Sequence, residues 1–312
     1  MIQVSNLTKQ YGDHTAVDHL SFTMESGQIH GFLGPNGAGK STTMNMITGC
    51  LAPTAGDVWL DGINIFDEPE KVKGKIGYLP EIPPVYPEMT PREYLSFVAG
   101  LKGISRKEIP AAVERAMEAT HITAMADRLI GNLSKGYRQR VGISQAILGN
   151  PEIVILDEPT VGLDPRQILQ IRALIKELGK HHTVILSSHI LGEIQAVCDH
   201  ITIIAGGKLI ACDSKASLEQ QYAKNRLLLS CKADRSAVIA ALAPLFPEET
   251  LTFREESGYL TVQVDCGTAE DIPEQVFCAF SAAGIPLHKL AVTEGSLEDL
   301  FLQLTKEGGA QP

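Results

Sequence analysis

Short apolar stretches alternate with amphipathic helical patterns over the first two thirds of the chain. Alternating apolar and polar positions in 2–4 and 16–23 predict strands with one covered face, and hence a β-rich N-terminal part. Residues 153–156 are apolar throughout and 183–186 nearly so, which is typical of central strands in a parallel sheet that is covered on both faces. The pattern therefore predicts an α/β fold.

A helical stretch interrupts this alternation at about residues 82–148. It begins within a proline-rich segment, 80–91, which cannot form a regular helix or a central strand because proline lacks the backbone donor. Thr90 is then predicted as an N-cap with Pro91 in the first helical turn, and apolar spacing predicts a second helix over 106–119. We expect a helical insert between two parts of the α/β fold.

Residues 224–312 show a third pattern, which predicts strand, helix, two strands joined at Ser257 and Gly258, helix and strand. This order is typical of a small α+β ferredoxin-like unit. A last helix is predicted over 296–304. Because no catalytic constellation occurs in this part, we expect a packing or dimer-supporting role, with regulatory ligand binding as the alternative. The sequence thus predicts two domains, 1–218 and 224–312.

Composition and charge argue against several classes of protein: membrane-spanning, secreted, nucleic-acid-binding and zinc-binding. The 312 residues are 44% hydrophobic and 21% charged, as in soluble globular chains, and the longest apolar runs are far shorter than the roughly 18 to 20 residues of a membrane span. The chain enters a strand directly without a signal region, so a cytoplasmic location is expected. A net charge of −10 without a basic cluster argues against a nucleic-acid partner. Six cysteines without a C-x-x-C pair argue against a zinc site.

Residues 34–42 fit the phosphate-binding motif G-x-x-x-x-G-K-[ST] and lie between a predicted strand and a predicted helix. The glycines let successive N–H groups converge on phosphate oxygens, and the helix adds the positive end of its dipole. Lys40 is expected to reach the β- and γ-phosphates and Ser41 to ligate Mg²⁺. The motif therefore predicts binding of a nucleoside triphosphate by Gly34, Pro35, Asn36, Gly37, Ala38, Gly39, Lys40, Ser41 and Thr42.

Two carboxylates and a histidine follow the apolar strands. Asp157 and Glu158 come directly after 153–156, where α/β sheets bind ligands. We expect Asp157 to hold Mg²⁺ through water and Glu158 to take a proton from attacking water. His189 ends the next strand, so it is predicted at the same sheet edge in contact with the γ-phosphate. The histidine pair 181–182 precedes that strand and is expected on the surface.

Two other positions have both a structural and a ligand-binding interpretation. Tyr11, which precedes Gly12 in a turn, is either a half-buried turn aromatic or a platform on which adenine stacks. Ser134, as an N-cap with Gly136 nearby, offers a hydroxyl and free N–H groups at a helix start. In isolation this is either an ordinary capped helix or a second anion site.

The order of these motifs resembles that of the ATP-binding subunit of an ABC transporter, over residues 1 to about 215. The resemblance implies a P-loop NTPase core of the RecA-like type. It implies that Tyr11 stacks on adenine, that His189 is the switch histidine and that Asp164 closes the D-loop. The matching segments are 34–42, 133–137 (the signature motif), 157–158, 161–164 (the D-loop) and His189.

In that family two subunits pair head to tail, and ATP lies between one phosphate loop and the other subunit's signature motif. The resemblance therefore implies that Ser134 and Gly136 contact the γ-phosphate across a homodimer or paralogous heterodimer. It also implies a separate integral membrane permease and a location on the inner face of the cell membrane. The chain departs from the family pattern in two places. The signature motif contains Lys135 and Tyr137, and Glu81 stands where a glutamine is usual. Glu81 is still expected to reach Mg²⁺.

The preferred hypothesis is an ATP-hydrolysing subunit that drives transport, in the exporter branch, by a separate membrane protein. The alternative is a soluble ABC-type ATPase acting on ribosomes or DNA. The segment between Lys40 and Ser134 lacks the heptads or C-x-x-C insertions of those proteins. A catalytically dead scaffold is disfavoured because Glu158 and His189 are both present.

Overall fold

The computed structural model describes residues 1–222, 225–256, 258–267, 271–293, 297 and 301. These residues fall into two compact units, one within Met1–Lys215 and one within Ala216–Gln303. Within the described residues, no helix combines the length and the apolar composition that crossing a bilayer requires.

The first unit begins with an antiparallel sheet whose strands alternate between buried and exposed positions, as the sequence predicts. Its strands are β1 (Ile2–Tyr11), β2 (His14–Met24), β4 (Ala55–Leu60) and β5 (Ile63–Asn64). Their spatial order is β2-β1-β4-β5. The turn after Tyr11 contains Gly12, in the left-handed conformation at φ 57°. The predicted β-rich N-terminal part is confirmed.

A six-stranded sheet forms the centre of the first unit, in the order β10-β9-β3-β8-β7-β6. Only β10 runs antiparallel to its neighbour. The strands are β3 (Ile29–Leu33), β6 (Ile76–Leu79), β7 (Ile153–Asp157), β8 (Thr183–Ser188), β9 (His200–Ala205) and β10 (Lys208–Ser214). Every residue of β3, β7 and β8 is buried, as expected for strands covered on both faces. The register pairs Leu33 and Asp157 with neighbouring residues at the end of β8, so three carboxyl ends lie side by side.

Eight α-helices and two short 3-10 helices, Thr123–Met125 and Ile130–Asn132, are described up to Tyr222. The α-helices are α1 (Lys40–Ile47), α2 (Pro69–Lys73), α3 (Pro91–Leu101), α4 (Ile109–Ala119), α5 (Lys135–Ile147), α6 (Pro165–Leu178), α7 (Leu191–Val197) and α8 (Lys215–Tyr222). Helices α3 to α5 form the predicted insert. Thr90 caps α3 and forms a capping box with Glu93, whereas α4 begins at Ile109 rather than at the predicted residue 106.

The second unit is a four-stranded antiparallel sheet with two helices. Its elements are β11 (Asn225–Cys231), α9 (Arg235–Leu242), β12 (Leu251–Glu256), β13 (Tyr259–Gly267), α10 (Ile272–Ala282) and β14 (Leu287–Thr293). The spatial order β12-β13-β11-β14 and the β-α-β-β-α-β sequence give the predicted ferredoxin-like fold. Most of the helix predicted over 296–304, and Ser257 of the predicted turn, lie outside the described residues.

Candidate active site

The loop between β3 and α1 has a conformation that only glycine adopts without strain at two positions. Gly37 and Gly39 have φ values of 78° and 96°. A Cβ atom on Gly39 would lie 2.4 Å from the carbonyl oxygen of Ala16, so this position also lacks space for a side chain. Because α1 begins at Lys40, its first N–H groups and the loop amides are available to an anion.

Lys40 is the buried cation of this loop. Its Nζ donates hydrogen bonds to the carbonyl oxygens of Gly34 at 2.9 Å and Pro35 at 3.2 Å. The same Nζ lies 3.2 Å from Oε1 of Glu158, whose carboxylate is also buried. The ammonium therefore lies between the loop and the end of β7.

Glu158 occupies a strained position at the end of β7. Its φ is 47°, a left-handed conformation that costs non-glycine residues roughly 1 to 3 kcal/mol and is concentrated at functional sites. The backbone N–H of Glu158 donates to Oγ of Ser187 at 2.9 Å, and Oε2 lies 2.8 Å from Nδ1 of His189. Lys40, Glu158 and His189 together are called the charged cluster. The expectation that His189 and Glu158 share one sheet edge is confirmed.

Asp157 is buried at the last position of β7. Its Oδ1 accepts a hydrogen bond from the hydroxyl of Ser187, which in turn accepts from the N–H of Glu158. Ser187 thus fixes both neighbouring acidic residues from the adjacent strand. We did not single out Ser187 from the sequence; the signal would have been a serine at the end of the strand that pairs with β7.

A cavity of about 560 Å³ joins the loop, the charged cluster and the N-terminal sheet. Tyr11 lies at its rim with half of its surface exposed. Ser41 and Glu81, two of the three predicted metal ligands, also line it, whereas Asp157 does not. His14 and Ala16 are lining residues that the sequence did not reveal, and Val161 belongs to the predicted D-loop segment. The lining consists of Tyr11, His14, Ala16, Asn36, Gly37, Gly39, Lys40, Ser41, Thr42, Glu81, Glu158, Val161 and His189.

Ser134, Gly136 and Asp164 lie elsewhere, at the starts of α5 and α6; we call them the N-cap face. Ser134 Oγ accepts from the N–H of Tyr137 at 3.4 Å, and Asp164 Oδ1 accepts from the N–H of Gln167 at 2.9 Å. A separate cavity of about 250 Å³ contains Ser134 and Gly136 and shares no lining residue with the larger one. Within one described chain, Ser134 and Gly136 therefore line a cavity other than that of the charged cluster, and Asp164 lines neither of the two.

The chain is similar to known proteins that share a single family. Residues 17–161 match the family model described as ABC transporter. The bacitracin transport ATP-binding protein BcrA of Bacillus licheniformis is 35% identical over 311 residues, which are 99% of this chain and 98% of that protein. The linearmycin resistance ATP-binding protein LnrL of Bacillus subtilis (strain 168) is 34% identical, covering 98% of each chain.

Solved structures agree with this relationship. An ATP-binding subunit of an ABC transporter is 30% identical with a TM-score of 0.64, covering 71% of this chain and 93% of that one. An ATP-binding cassette in a dimeric post-hydrolysis state with ADP and Pi is 26% identical with a TM-score of 0.62, covering 69% and 98%. These findings support the transporter hypothesis and not the soluble alternative. The chain belongs to the family of ATP-binding, ATP-hydrolysing subunits of ABC transporters.

Proposed function

We propose that ATP binds in the 560 Å³ cavity and is hydrolysed there, with Glu158 as general base and Lys40 as the phosphate-binding cation. The observation that carries this proposal is the pair of contacts on one buried carboxylate. Lys40 Nζ lies 3.2 Å from Oε1 of Glu158, and His189 Nδ1 lies 2.8 Å from Oε2. A carboxylate held between a cation and an imidazole has a fixed orientation, which a base must have to take a proton from water.

The contacts of Lys40 suggest how the base is freed. Phosphate oxygens that reach the loop would compete with Glu158 for the Lys40 ammonium, because that ammonium already lies at the loop. When the phosphates hold Lys40, Glu158 is relieved of one opposite charge and becomes the better proton acceptor. His189 would keep the Glu158 carboxylate oriented and contact the γ-phosphate. Adenine would stack on Tyr11 at the cavity rim.

Ser41 and Glu81 are the proposed Mg²⁺ ligands, and Asp157, which does not line the cavity, would hold the ion through water. Their oxygen donors suit this hard cation, which usually keeps several waters and uses one or two carboxylates together with substrate phosphates. In the part of the chain that the structure describes, no three acidic, histidine or cysteine side chains form a metal cluster. Bound Mg²⁺ would neutralise charge on the β- and γ-phosphates.

We propose that a complete site contains residues of two subunits. The N-cap face of one subunit would bind the γ-phosphate held by the other subunit's loop, with the Ser134 hydroxyl and the N–H of Gly136 as donors. The separation of the two cavities within one chain supports this arrangement. The dimeric state of a related cassette bound to ADP and Pi supports it as well. The chain would pair with itself or with a paralogous subunit.

The partner in the membrane is proposed to dock on the proline-rich loop and α3. Ile82 and Leu101 are 81% and 72% exposed, and the rings of Tyr86 and Phe97 meet edge to face at 6.0 Å while both remain partly exposed. Several exposed apolar side chains in one short stretch are typical of an interaction surface. An integral membrane permease that covers them would place this subunit on the inner face of the cell membrane. Relatives named for bacitracin transport and linearmycin resistance favour export.

We assign residues 1–218 to the ATP-binding domain and 224–312 to an accessory domain. The described elements of the accessory domain pack around a core of their own that includes Leu229, Val262 and Phe280. This self-contained core suits a unit that supports the dimer without taking part in the chemistry.

The test of the proposed chemistry is Glu158→Gln, which keeps the shape of the side chain but removes its basicity. We expect ATP affinity within a few-fold of wild type, ATP hydrolysis lowered at least about 10²-fold, and an ATP-bound dimer that accumulates in size-exclusion chromatography. Glu177→Gln, at an exposed glutamate, is the matched control and should hydrolyse ATP normally. Hydrolysis by Glu158→Gln at the wild-type rate would rule out Glu158 as the base.

A further inference from the structure

A buried carboxylate with no role in the proposed chemistry connects the segment after Glu158 to the end of β8, which His189 follows. Glu193, in the first turn of α7, is only 4% exposed. Its Oε2 accepts a hydrogen bond from Oγ1 of Thr160 at 2.5 Å and another from Oγ of Ser188 at 3.0 Å. Ser188 Oγ also accepts from the N–H of Ile190 at 3.0 Å. All three hydroxyl and carboxylate groups are buried.

The position of these hydroxyl groups links Glu193 to the chemistry. Thr160 lies two residues after Glu158, and Ser188 lies directly before His189. Glu193 therefore holds the segment that follows the proposed base to the strand end that carries its histidine partner. Ser187 makes a similar link one residue earlier, through Asp157 and the N–H of Glu158. The 2.8 Å contact between Glu158 and His189 lies between these two links.

The cost of burying Glu193 argues that the link matters. A buried carboxylate without a cation loses its hydration and recovers only part of it from two hydroxyl donors. Among the described residues, none of the ion pairs includes Glu193. An apolar side chain would pack at this position without that cost, but it could not hold two hydroxyl groups at once.

We propose that Glu193 is a positioning residue for ATP hydrolysis, which sets the relative placement of Glu158 and His189. This inference depends on the proposed roles of those two residues. A general base acts only when it lies within hydrogen-bond reach of the water, and displacement by about 1 Å can cost on the order of 10²-fold in rate. Loss of Glu193 should therefore lower kcat and leave ATP binding largely intact, because Glu193 does not line the nucleotide cavity.

Two substitutions of Glu193 distinguish the loss of its hydrogen-bond acceptors from the loss of its side-chain volume. Glu193→Ala removes both acceptors, and we expect kcat to fall about 10- to 100-fold with KM for ATP within twofold of wild type. Glu193→Gln keeps an amide oxygen that can accept from both hydroxyls, so kcat should stay within about threefold of wild type. Thr160→Val keeps the shape of threonine but removes one donor, and we expect an intermediate kcat.

A double-mutant cycle with Glu158→Gln distinguishes positioning from a general structural effect. If Glu193 acts through Glu158, Glu193→Ala should lower the residual rate of Glu158→Gln less than twofold, although it lowers the wild-type rate at least tenfold. Thermal unfolding and ATP binding of each variant establish that it is folded. If Glu193→Ala does not fold, the same cycle with Thr160→Val decides.

The outcomes for the two proposals can be told apart. A kcat of Glu193→Ala within twofold of wild type, or equal loss in the wild-type and Glu158→Gln backgrounds, would overturn the positioning role alone. Wild-type hydrolysis by Glu158→Gln would instead overturn the proposed base, whatever Glu193→Ala does. Loss of kcat that is confined to the wild-type background and rescued by glutamine would support the inference.

Discussion

The charged cluster and the N-cap face are built in opposite ways. In the charged cluster, Glu158 is buried and is held by groups from two other segments of the chain, Lys40 and His189. On the N-cap face, Ser134 and Asp164 are exposed and use their side chains to cap the helices that follow them. The first region is assembled for chemistry within one chain, whereas the second exposes the Ser134 hydroxyl, which can donate to an anion, and keeps Gly136 buried behind it. This difference is the physical reason for expecting a two-subunit site.

The largest effect should come from the buried cation. In Lys40→Ala, the phosphate loop loses its buried ammonium, and the buried carboxylate of Glu158 loses this cation while it keeps the contact with His189. We expect ATP hydrolysis to fall at least about 10³-fold and ATP affinity to weaken markedly in equilibrium binding. Lys71→Ala, at an exposed lysine, is the control and should lie within twofold of wild type. Normal turnover by Lys40→Ala would show that the charged cluster is not the reaction centre.

A smaller but more selective effect is expected on the N-cap face. Aspartate and asparagine are both good N-caps, so Ser134→Asp and Ser134→Asn should both keep α5 folded. Only aspartate places a negative charge where the γ-phosphate would bind. We expect Ser134→Asp to hydrolyse ATP at least tenfold more slowly than Ser134→Asn, with monomer affinity for ATP unchanged in both. Equal rates for the two variants would mean that no phosphate approaches this face.

The smallest effect concerns the far end of the helix that begins at the N-cap face. Lys102 Nζ donates to the carbonyl oxygens of Gln145, Ala146 and Leu148, where α5 ends. Lys102 is exposed as a whole residue, but partial desolvation of its ammonium lowers its pKa to about 8 from the ordinary value of 10.5. Because the unfolded chain keeps this proton to higher pH, the folded state gains stability as the pH rises from 8 towards 10.5.

This linkage can be measured against a variant that cannot titrate. From pH 7 to pH 9, the free energy of unfolding of wild type should rise by less than about 1 kcal/mol relative to Lys102→Met, because solvent screens this exposed side chain in part. Urea denaturation measures the difference. Turnover should change little, because Lys102 lies in neither cavity. A stability difference between the two proteins that does not vary with pH would contradict the lowered pKa.

The sequence was sufficient for the parts of the site that depend on local spacing. The phosphate loop can be predicted from a motif of nine consecutive residues, 34–42. The N-caps at Thr90 and Ser134 can be predicted from their residue types and from the helical pattern that follows each of them. The meeting of His189 with Glu158 also followed, because consecutive apolar strands in an α/β fold tend to be neighbours. The proposed chemical roles of these residues remain predictions.

The rest depends on contacts between segments that are distant in the sequence. Nothing in the sequence distinguishes Ser187 and Glu193 from other serine and glutamate residues. Only the fold places Ser187 beside Asp157 and places Glu193, in α7, beside Thr160. The surface location expected for the pair 181–182 is wrong for His182, which is buried with Nδ1 2.7 Å from the carbonyl oxygen of Pro151. A polar residue beside a strand is buried when the fold supplies a backbone partner, which spacing alone does not reveal.

The most direct test of the two-subunit site is to mix two variants with impaired ATP hydrolysis, Lys40→Ala and Ser134→Asp. In a head-to-tail heterodimer, both defects fall in one site, and the other site has an intact loop and an intact N-cap face. We predict that an equimolar mixture regains ATP hydrolysis to about a quarter of the wild-type rate, because half of randomly formed dimers are mixed and each has one intact site. A mixture that stays as inactive as its two components, although mixed dimers form, would contradict the account.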